Sequence, residues 1–194
     1  MKRAGRSKDR APRKRRPVPR ARAQGLILVH TGNGKGKSTA AFGTALRALG
    51  YGWKVAVVQF IKGDWKTGEQ EAAKTFGNRF LLESMGEGFT WDTKSFKRDC
   101  AAAKKAWKRC VQLLRDRTHQ LVIFDEINYC LKYNFLKTSD VLRELRRKPA
   151  LKHVILTGNG APKALIQAAD LVTEMRCLKH PFNKGLAAQQ GIEY

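Results

Sequence analysis

Acidic residues are scarce in this sequence. Of its 194 residues only 16 are Asp or Glu, against 39 Lys or Arg, and the formal net charge is +23. Residues 1–22 carry eleven of the basic side chains and one acid. A block of like charge is typical of a solvated, disordered arm. We therefore predict a disordered tail over residues 1–24 and a single domain over residues 25–194.

Cysteines are few, and long apolar runs are missing. The four cysteines form no CxxC pair and the four histidines no metal-ligand pattern, so we predict neither a zinc site nor a disulfide framework. No segment approaches the roughly 20 apolar residues that span a bilayer. The charged N-terminus lacks the apolar core of a signal peptide. We expect a cytoplasmic protein with reduced thiols and no contact with a membrane.

Short apolar runs alternate with helix-forming segments after the tail. The runs predict buried strands at residues 26–30, 55–61, 80–83, 121–124, 153–156 and 171–175. Helical patterns lie at residues 37–49, 66–76, 95–117, 138–147 and 162–169, the fourth with Thr138 or Ser139 as its cap. This alternation predicts an α/β fold with a mainly parallel sheet and helices on both faces. Such sheets bind ligands at the carboxyl ends of their strands.

A glycine-rich segment, Thr31-Gly-Asn-Gly-Lys-Gly-Lys-Ser-Thr39, joins the first strand to the first helix. Backbone N–H groups and the helix N-terminus of such a loop bind phosphate. Lys37 suits a phosphate charge, and the Ser38 hydroxyl suits Mg²⁺. The loop is one residue shorter than the G-x-x-x-x-G-K-[ST] pattern, because Thr31 stands where the first glycine is expected. The shortening leaves the usual assignment of the phosphates open.

Two acids, Asp125 and Glu126, follow the apolar run 121–124. An acidic strand end of this kind holds Mg²⁺ in P-loop proteins. The spacing does not decide which of the two carboxylates contacts the metal.

Two features have a functional and a structural interpretation. Phe89 and Trp91 lie in a Gly-flanked loop and are either core side chains or an apolar platform for a flat ligand. The cations of the 95–117 helix form either a nucleic-acid groove or a solvated face, and the solvated face is the simpler interpretation.

Several segments together resemble the P-loop type of ATP:corrinoid adenosyltransferases. They are Thr31-Gly-Asn-Gly-Lys-Gly-Lys-Ser-Thr-Ala-Ala-Phe-Gly43, Val58-Gln-Phe-Ile-Lys-Gly63, Gly88-Phe-Thr-Trp91, the Asp125-Glu126 strand end and the ending Gly185…Gln189-Gln-Gly-Ile-Glu-Tyr194. The resemblance extends over residues 25–194. It implies a RecA-like P-loop NTPase fold and transfer of the 5′-deoxyadenosyl group from ATP to cobalt(I) of a corrinoid, with triphosphate as the leaving group. The implied role is the biosynthesis or salvage of adenosylcobalamin.

The resemblance also implies roles for individual residues. Ser38 and Glu126, together with Asp125, would hold Mg²⁺ or Mn²⁺. Phe89 and Trp91 would pack under the corrin ring and, with Lys37, form the catalytic set. The family further implies a homodimer and an electron donor such as a flavoprotein. The triphosphate would be cradled by Gly32, Asn33, Gly34, Lys35, Gly36, Lys37, Ser38 and Thr39.

Two other functions fit parts of the pattern. A P-loop ATPase or kinase would cleave ATP at phosphorus, but the short loop and Gly88–Trp91 argue against it. A RecA-like nucleic-acid-binding module would use the +23 charge, and its affinity would fall steeply with salt. Nucleic acid is the less favoured partner. The sequence shows no constellation for a side-chain nucleophile, which agrees with cobalt(I) acting as the nucleophile.

Overall fold

The computed structural model describes residues 23–61, 67–86 and 95–193. The predicted tail, apart from its last two residues, and both predicted platform residues, Phe89 and Trp91, lie outside the described residues.

Six strands form one sheet in the order β3-β2-β4-β5-β1-β6, and every neighbouring pair is parallel. The prediction of a mainly parallel sheet is therefore confirmed. β5 lies between the strand that leads into the glycine loop, β1, and the strand that ends in the two acids, β4. The strands are β1 (Ile27–Thr31), β2 (Val55–Gln59), β3 (Phe80–Ser84), β4 (Leu121–Asp125), β5 (His153–Thr157) and β6 (Leu171–Glu174).

Helices cover both faces of this sheet. They are α1 (Lys37–Gly50), α2 (Gly68–Thr75), α3 (Phe96–Arg115), α4 (Ile127–Lys132), α5 (Thr138–Arg146) and α6 (Lys163–Ala168). Short 3₁₀ turns follow at Gly77–Arg79 and Pro181–Lys184. One helix, α4, was not predicted, because six residues are too few to show a helical period. The predicted cap of α5 is wrong: the N-cap is Lys137, and no side chain caps that helix.

Two apolar layers fill the space between helices and sheet. On one face Ala41, Ala45 and Leu49 of α1 pack against Val57, Ile123 and Ile155 of the strands. On the other face the strands contact α3 to α6. There the rings of Trp107 and Phe124 pack edge to face, with their centroids 5.9 Å apart. Strands buried on both faces explain the continuous apolar runs of the sequence.

Near its carboxyl end, every strand carries a polar residue on the face that α1 and α2 cover. The register aligns the apolar residues Leu82, Val57, Ile123, Ile155, Leu28 and Leu171 in one row across the sheet. Two residues further along, each strand carries a polar residue: Ser84, Gln59, Asp125, Thr157, His30 and Thr173. On this face the apolar core therefore ends, and polar side chains begin, at the carboxyl edge of the sheet.

One buried charge lies away from that edge. The ammonium group of Lys152, whose side chain is 3% exposed, donates to the Leu113 carbonyl and to Asp116 Oδ1 at 2.7 Å. Burial raises the pKa of Asp116, but the hydrogen bonds from Lys152 and His119 outweigh it and lower that pKa to about 2. The pair ties the end of α3 to the segment before β5.

Candidate active site

The glycine loop runs from β1 into α1 and begins at a position whose backbone conformation favours glycine. Gly32 and Gly36 have φ of 98° and 104°, a region that side-chain-bearing residues rarely adopt. Gly36 is the N-cap of α1, which has neither a side-chain cap nor an acid in its first turn. The first N–H groups of a 14-residue helix therefore face the loop without a capping side chain. This is the arrangement that binds anions.

A segment after β6 braces this loop. The Gly34 N–H donates to the Met175 carbonyl at 2.7 Å, and the Cys177 N–H donates to Asn33 Oδ1 at 3.0 Å. A Cβ on Gly32 would lie 2.3 Å from the Met175 carbonyl oxygen, and one on Gly34 would lie 2.8 Å from the same atom. The loop glycines are thus required by close packing on residues 175–177 as well as by the backbone turn.

Both loop lysines have partners within the chain. Lys37 Nζ donates to the Gly34 carbonyl at 2.6 Å, across the loop. Lys35 forms an ion pair with Glu193, whose side chain is mostly buried. His30 places Nδ1 3.1 Å from the Lys37 carbonyl and so links β1 to the first turn of α1. The loop therefore holds two cations within a few residues of the anion-binding helix end.

Asp125 is fully buried, and both its carboxylate oxygens accept hydrogen bonds. Gln59 Nε2 donates to Oδ2 at 3.0 Å, and Thr157 Oγ1 donates to Oδ1 at 2.7 Å. Both donors are themselves buried. A buried carboxylate is stable only with such partners, and these two donors fix the orientation of the Asp125 side chain.

Glu126 follows with a backbone conformation that is unusual for a residue with a side chain. Its φ is 65°, and its N–H donates to Thr157 Oγ1 at 2.9 Å. A Cβ added to Gly158 would lie 2.9 Å from Glu126 Oε2, so this carboxylate fits against residue 158 because that residue is glycine. Strained backbone of this kind is concentrated at functional sites.

Asn128 joins the glycine-loop side of the site to the acidic strand end. It is fully buried, and its Nδ2 donates to the carbonyls of His30 at 3.3 Å and Gly158 at 2.9 Å. Within the described ranges its Oδ1 is buried without a hydrogen-bond partner. One amide thus connects the ends of β1 and β5 to the start of α4.

Two thiols of the described residues are buried, and one of them, Cys130, lies close to the acidic strand end. Burial and, to a smaller extent, the negative charge of Glu126 raise the pKa of Cys130 to about 12. Burial likewise raises the pKa of Cys110 well above its ordinary value. Thiols with such pKa values stay protonated and are poor nucleophiles near neutral pH.

The structure brings the predicted phosphate and metal residues to one edge of the sheet. The loop from Gly32 to Thr39 and the acids Asp125 and Glu126 follow strands β1 and β4 at their carboxyl ends. Four residues that contribute to this site were not predicted from the sequence. Two of them, Gln59 and Glu193, lie in segments that carry the family resemblance, which was the available signal, whereas the buried positions of Asn128 and Thr157 gave none.

The described residues hold no preformed metal cage. No group of three or more His, Cys, Asp or Glu side chains suited to a metal occurs among them. None of the helices in the described ranges is long and apolar enough to cross a membrane.

Comparison with known proteins points to one family. A family model described as "ATP:corrinoid adenosyltransferase BtuR/CobO/CobP" matches residues 23–194. The chain is 47% identical to a "Corrinoid adenosyltransferase" of Pseudomonas aeruginosa, over 97% of this chain and 96% of the relative. It is also 47% identical to one from Sinorhizobium sp. (97% and 89% covered) and 44% identical to one from Escherichia coli K12 (88% and 86% covered).

Among solved structures, the flagellar accessory protein FlaH from Methanocaldococcus jannaschii is similar in fold. The TM-score is 0.53 at 17% sequence identity, with 78% of this chain and 71% of that chain covered. At this identity the likeness concerns the fold alone, and it agrees with the RecA-like P-loop architecture predicted from the sequence.

Proposed function

This chain belongs to the ATP:corrinoid adenosyltransferase family, and we propose that it transfers the 5′-deoxyadenosyl group of ATP to cobalt(I) of a corrinoid and releases triphosphate. ATP and the corrinoid are then its two substrates. The observation that carries the proposal is the short glycine loop: it opens α1 with uncapped N–H groups and lies at the same sheet edge as Glu126.

The bond that breaks in this reaction joins C5′ of the ribose to the triphosphate oxygen. The cobalt(I) electron pair forms the new cobalt–carbon bond, and the bonding pair leaves with the triphosphate. The protein therefore has to stabilise negative charge on a leaving triphosphate, which cations and oriented N–H groups do well. No side-chain nucleophile is needed, which fits the protonated, buried thiols of Cys110 and Cys130.

We assign the triphosphate to the loop from Gly32 to Thr39, with Lys37 as the catalytic cation. Lys37 Nζ already lies inside the loop, on the Gly34 carbonyl, and a phosphate oxygen would replace that neutral acceptor with a charged one. The Gly34 N–H and the Asn33 carboxamide oxygen are engaged by the 175–177 segment. Their contribution is therefore the shape of the loop, and the N–H groups at the start of α1 supply the phosphate contacts.

Ser38 and Glu126 would hold Mg²⁺, or Mn²⁺ in its place, against the triphosphate. A hydroxyl and a carboxylate are the hard oxygen donors that Mg²⁺ prefers, and Mg²⁺ usually takes its other ligands from phosphates and water. The donor set fits by its chemistry and its place, because Ser38 lies in the first turn of α1, after the glycine loop, and Glu126 follows β4, both at the carboxyl edge of the sheet. The metal would neutralise charge that develops on the leaving triphosphate. Asp125, with both oxygens accepting from Gln59 and Thr157, serves better as support than as a ligand.

Phe89 and Trp91 remain our proposed platform for the corrin ring. The chain reaches them after Gly86, which lies two residues beyond the end of β3 and where a Cβ would lie 2.3 Å from the Phe60 carbonyl oxygen. Gly86 therefore packs closely against the residue that follows β2, at the same sheet edge as the glycine loop, and this position supports the proposal. Ring packing under the corrin would exclude a lower axial ligand, and four-coordinate cobalt(II) is easier to reduce.

Further features of the family complete the proposal. We propose a homodimer that works in the cytoplasm, in the biosynthesis or salvage of adenosylcobalamin, with an electron donor such as a flavoprotein. The charge of +23 is compatible with an acidic partner as well as with anionic substrates. Nucleic acid remains the less favoured partner.

One assay separates the candidate activities. The protein is incubated with MgATP and chemically reduced cobalamin, and both products are identified. Adenosylcobalamin and intact triphosphate in equal amounts support the proposal. ADP and phosphate without adenosylcobalamin would support an ATPase instead. Salt-sensitive binding to single-stranded DNA without either reaction would support a nucleic-acid-binding module.

A further inference from the structure

Four polar side chains form a connected row across four strands at the carboxyl edge of the sheet. We call Ser84, Gln59, Asp125 and Thr157 the polar row. The register pairs Gln59 with Ser84 on one side and with Asp125 on the other. All four side chains lie on the α1–α2 face, immediately beyond the last apolar row.

The hydrogen bonds of the outer half of the polar row all point the same way. Ser84 Oγ accepts from Gln70 Nε2 at 3.0 Å and donates to Gln59 Oε1 at 2.9 Å. Gln59 Nε2 in turn donates to Asp125 Oδ2 at 3.0 Å. Ser84 and Gln59 therefore each accept one hydrogen bond and donate one, and the series leads to the Asp125 carboxylate, where a hydrogen bond to a charged acceptor is strong.

From the other side, Thr157 completes the support of the same carboxylate. Its Oγ1 donates to Asp125 Oδ1 at 2.7 Å and accepts the N–H of Glu126 at 2.9 Å. The hydroxyl proton is thereby committed to Asp125, which leaves the lone pairs of Thr157 facing Glu126. The polar row thus ends on the backbone of Glu126.

Burial makes the inner members of the row rigid. Gln59 is 1% exposed, and Asp125 and Thr157 are fully buried. Water does not replace their hydrogen bonds, so removing one donor leaves a buried carboxylate short of a partner. Ser84 lies on the edge strand and is exposed, so we expect a substitution there to disturb the fold little.

The strained conformation of Glu126 gives the polar row its importance. A residue at φ 65° persists only where its surroundings hold it. The N–H of Glu126 donates to Thr157 Oγ1, whose hydroxyl is oriented by Asp125 and, through it, by Gln59, and the carbonyl of the same peptide accepts the N–H of Phe60. Supporting residues of this kind orient metal ligands in many sites.

We propose that Gln59 and Ser84 are positioning residues for the metal–triphosphate group. They hold Asp125, and through Thr157 the backbone of Glu126, in the conformation in which the Glu126 carboxylate serves Mg²⁺. Neither residue touches a substrate. This inference rests on the proposed function, and it assigns a role to two residues that the reaction chemistry alone does not require.

Calorimetry of ATP binding with and without Mg²⁺ tests this inference. The quantity measured is the gain in ATP affinity on adding Mg²⁺. We expect Gln59→Met, which keeps the length of the side chain but removes both hydrogen bonds, to reduce this gain by about tenfold. Ser84→Ala should reduce the gain by a smaller factor. Ser84→Thr, which keeps the hydroxyl, should keep the gain of the wild type. The affinity for metal-free ATP should stay unchanged in all three.

Leu82→Ala is the matched control. Leu82 lies two residues before Ser84 on the same face of β3, in the apolar row. Its truncation should lower the melting temperature but preserve the Mg²⁺-dependent gain. Glu126→Gln, which removes the proposed ligand itself, should abolish the gain and marks the size of a complete loss.

The outcomes are distinguishable. A wild-type gain in Gln59→Met and Ser84→Ala would overturn the positioning role alone. The same role falls if Leu82→Ala reduces the gain as much as they do, because the effect would then follow stability. If Gln59→Met fails to fold, the comparison of the Mg²⁺-dependent gain in Ser84→Ala and Ser84→Thr tests the role, and equal gains in these two variants would overturn it. A wild-type protein that makes adenosylcobalamin but shows no Mg²⁺-dependent gain would overturn the metal role and this inference together.

Discussion

The carboxylate of Glu193 forms an ion pair with the ammonium group of Lys35, although the two residues are separated by 158 positions. The Lys35 side chain is 57% exposed and that of Glu193 only 12%. The segment that carries Glu193 therefore lies against the glycine loop. A triphosphate in that loop would compete with Glu193 for the same cation.

This competition predicts that Glu193→Gln tightens ATP binding. A partly exposed ion pair contributes up to about 1 kcal/mol, so we expect the Kd for ATP to fall about threefold. Titration of the wild type and the variant with ATP, at low and at high salt, measures the change. The difference should shrink at high salt. Weaker ATP binding by Glu193→Gln would instead mean that Glu193 supports the loop in its binding conformation.

Lys37→Ala should reduce adenosyl transfer by at least about 100-fold, because it removes a cation from the leaving triphosphate. The fold should persist, since the only described hydrogen bond of the Lys37 side chain goes to the Gly34 carbonyl. Turnover and melting temperature are measured together. Arg47→Ala, in the last turn of the same helix, is the control and should keep both. Near-wild-type turnover in Lys37→Ala would remove the triphosphate from this loop.

Trp91→Ala, and more mildly Phe89→Ala, should impair adenosylation of corrinoids with a lower axial ligand more than of those without one. Removing a ring would leave cobalt(II) five-coordinate and hard to reduce. The loss should largely disappear when a strong reductant supplies cobalt(I). Turnover is compared with cobalamin and a base-free corrinoid, each under weak and strong reductant. An equal loss in all four conditions, with a lower melting temperature, would identify the rings as core side chains.

Asp116→Asn should destabilise the protein by about 3 kcal/mol at pH 7, because it leaves the buried Lys152 ammonium without its carboxylate. Hydrogen bonds hold the pKa of Asp116 at about 2 in the folded state, below its ordinary 3.8. A lowered pKa stabilises the fold above pH 3.8, and this contribution is lost as the pH falls towards 2. Urea unfolding from pH 7 to pH 2 should therefore show the two proteins converging. A constant difference would contradict the assignment.

The local parts of the site could be predicted from the sequence. Lys37 and Ser38 are adjacent to the glycines with which they work, and the acids at 125 and 126 directly follow their strand. Such patterns report local geometry, and the strands and helices around them were found to within a few residues. The six-residue α4 was not, because its apolar residues Ile127 and Leu131 cover less than two turns.

The supporting contacts could not be predicted, because they depend on the register between strands. Gln59 and Asp125 are 66 positions apart, and nothing in either segment indicates that one faces the other. The same applies to Cys177 and Asn33, which are 144 positions apart and whose hydrogen bond joins the glycine loop to the segment after β6. A one-residue slip of a strand would turn such side chains to the opposite face.

The most direct measurement follows the oxygen atom that joins C5′ of ATP to the α-phosphorus. ATP labelled with ¹⁸O at this position is incubated with the protein, Mg²⁺ and reduced cobalamin, and the products are analysed by mass spectrometry. The account predicts that all of the label leaves in triphosphate and that adenosylcobalamin carries none. Label retained on the nucleoside, in ADP, AMP or adenosine, would place the cleavage at phosphorus and contradict the assignment of this site to adenosyl transfer.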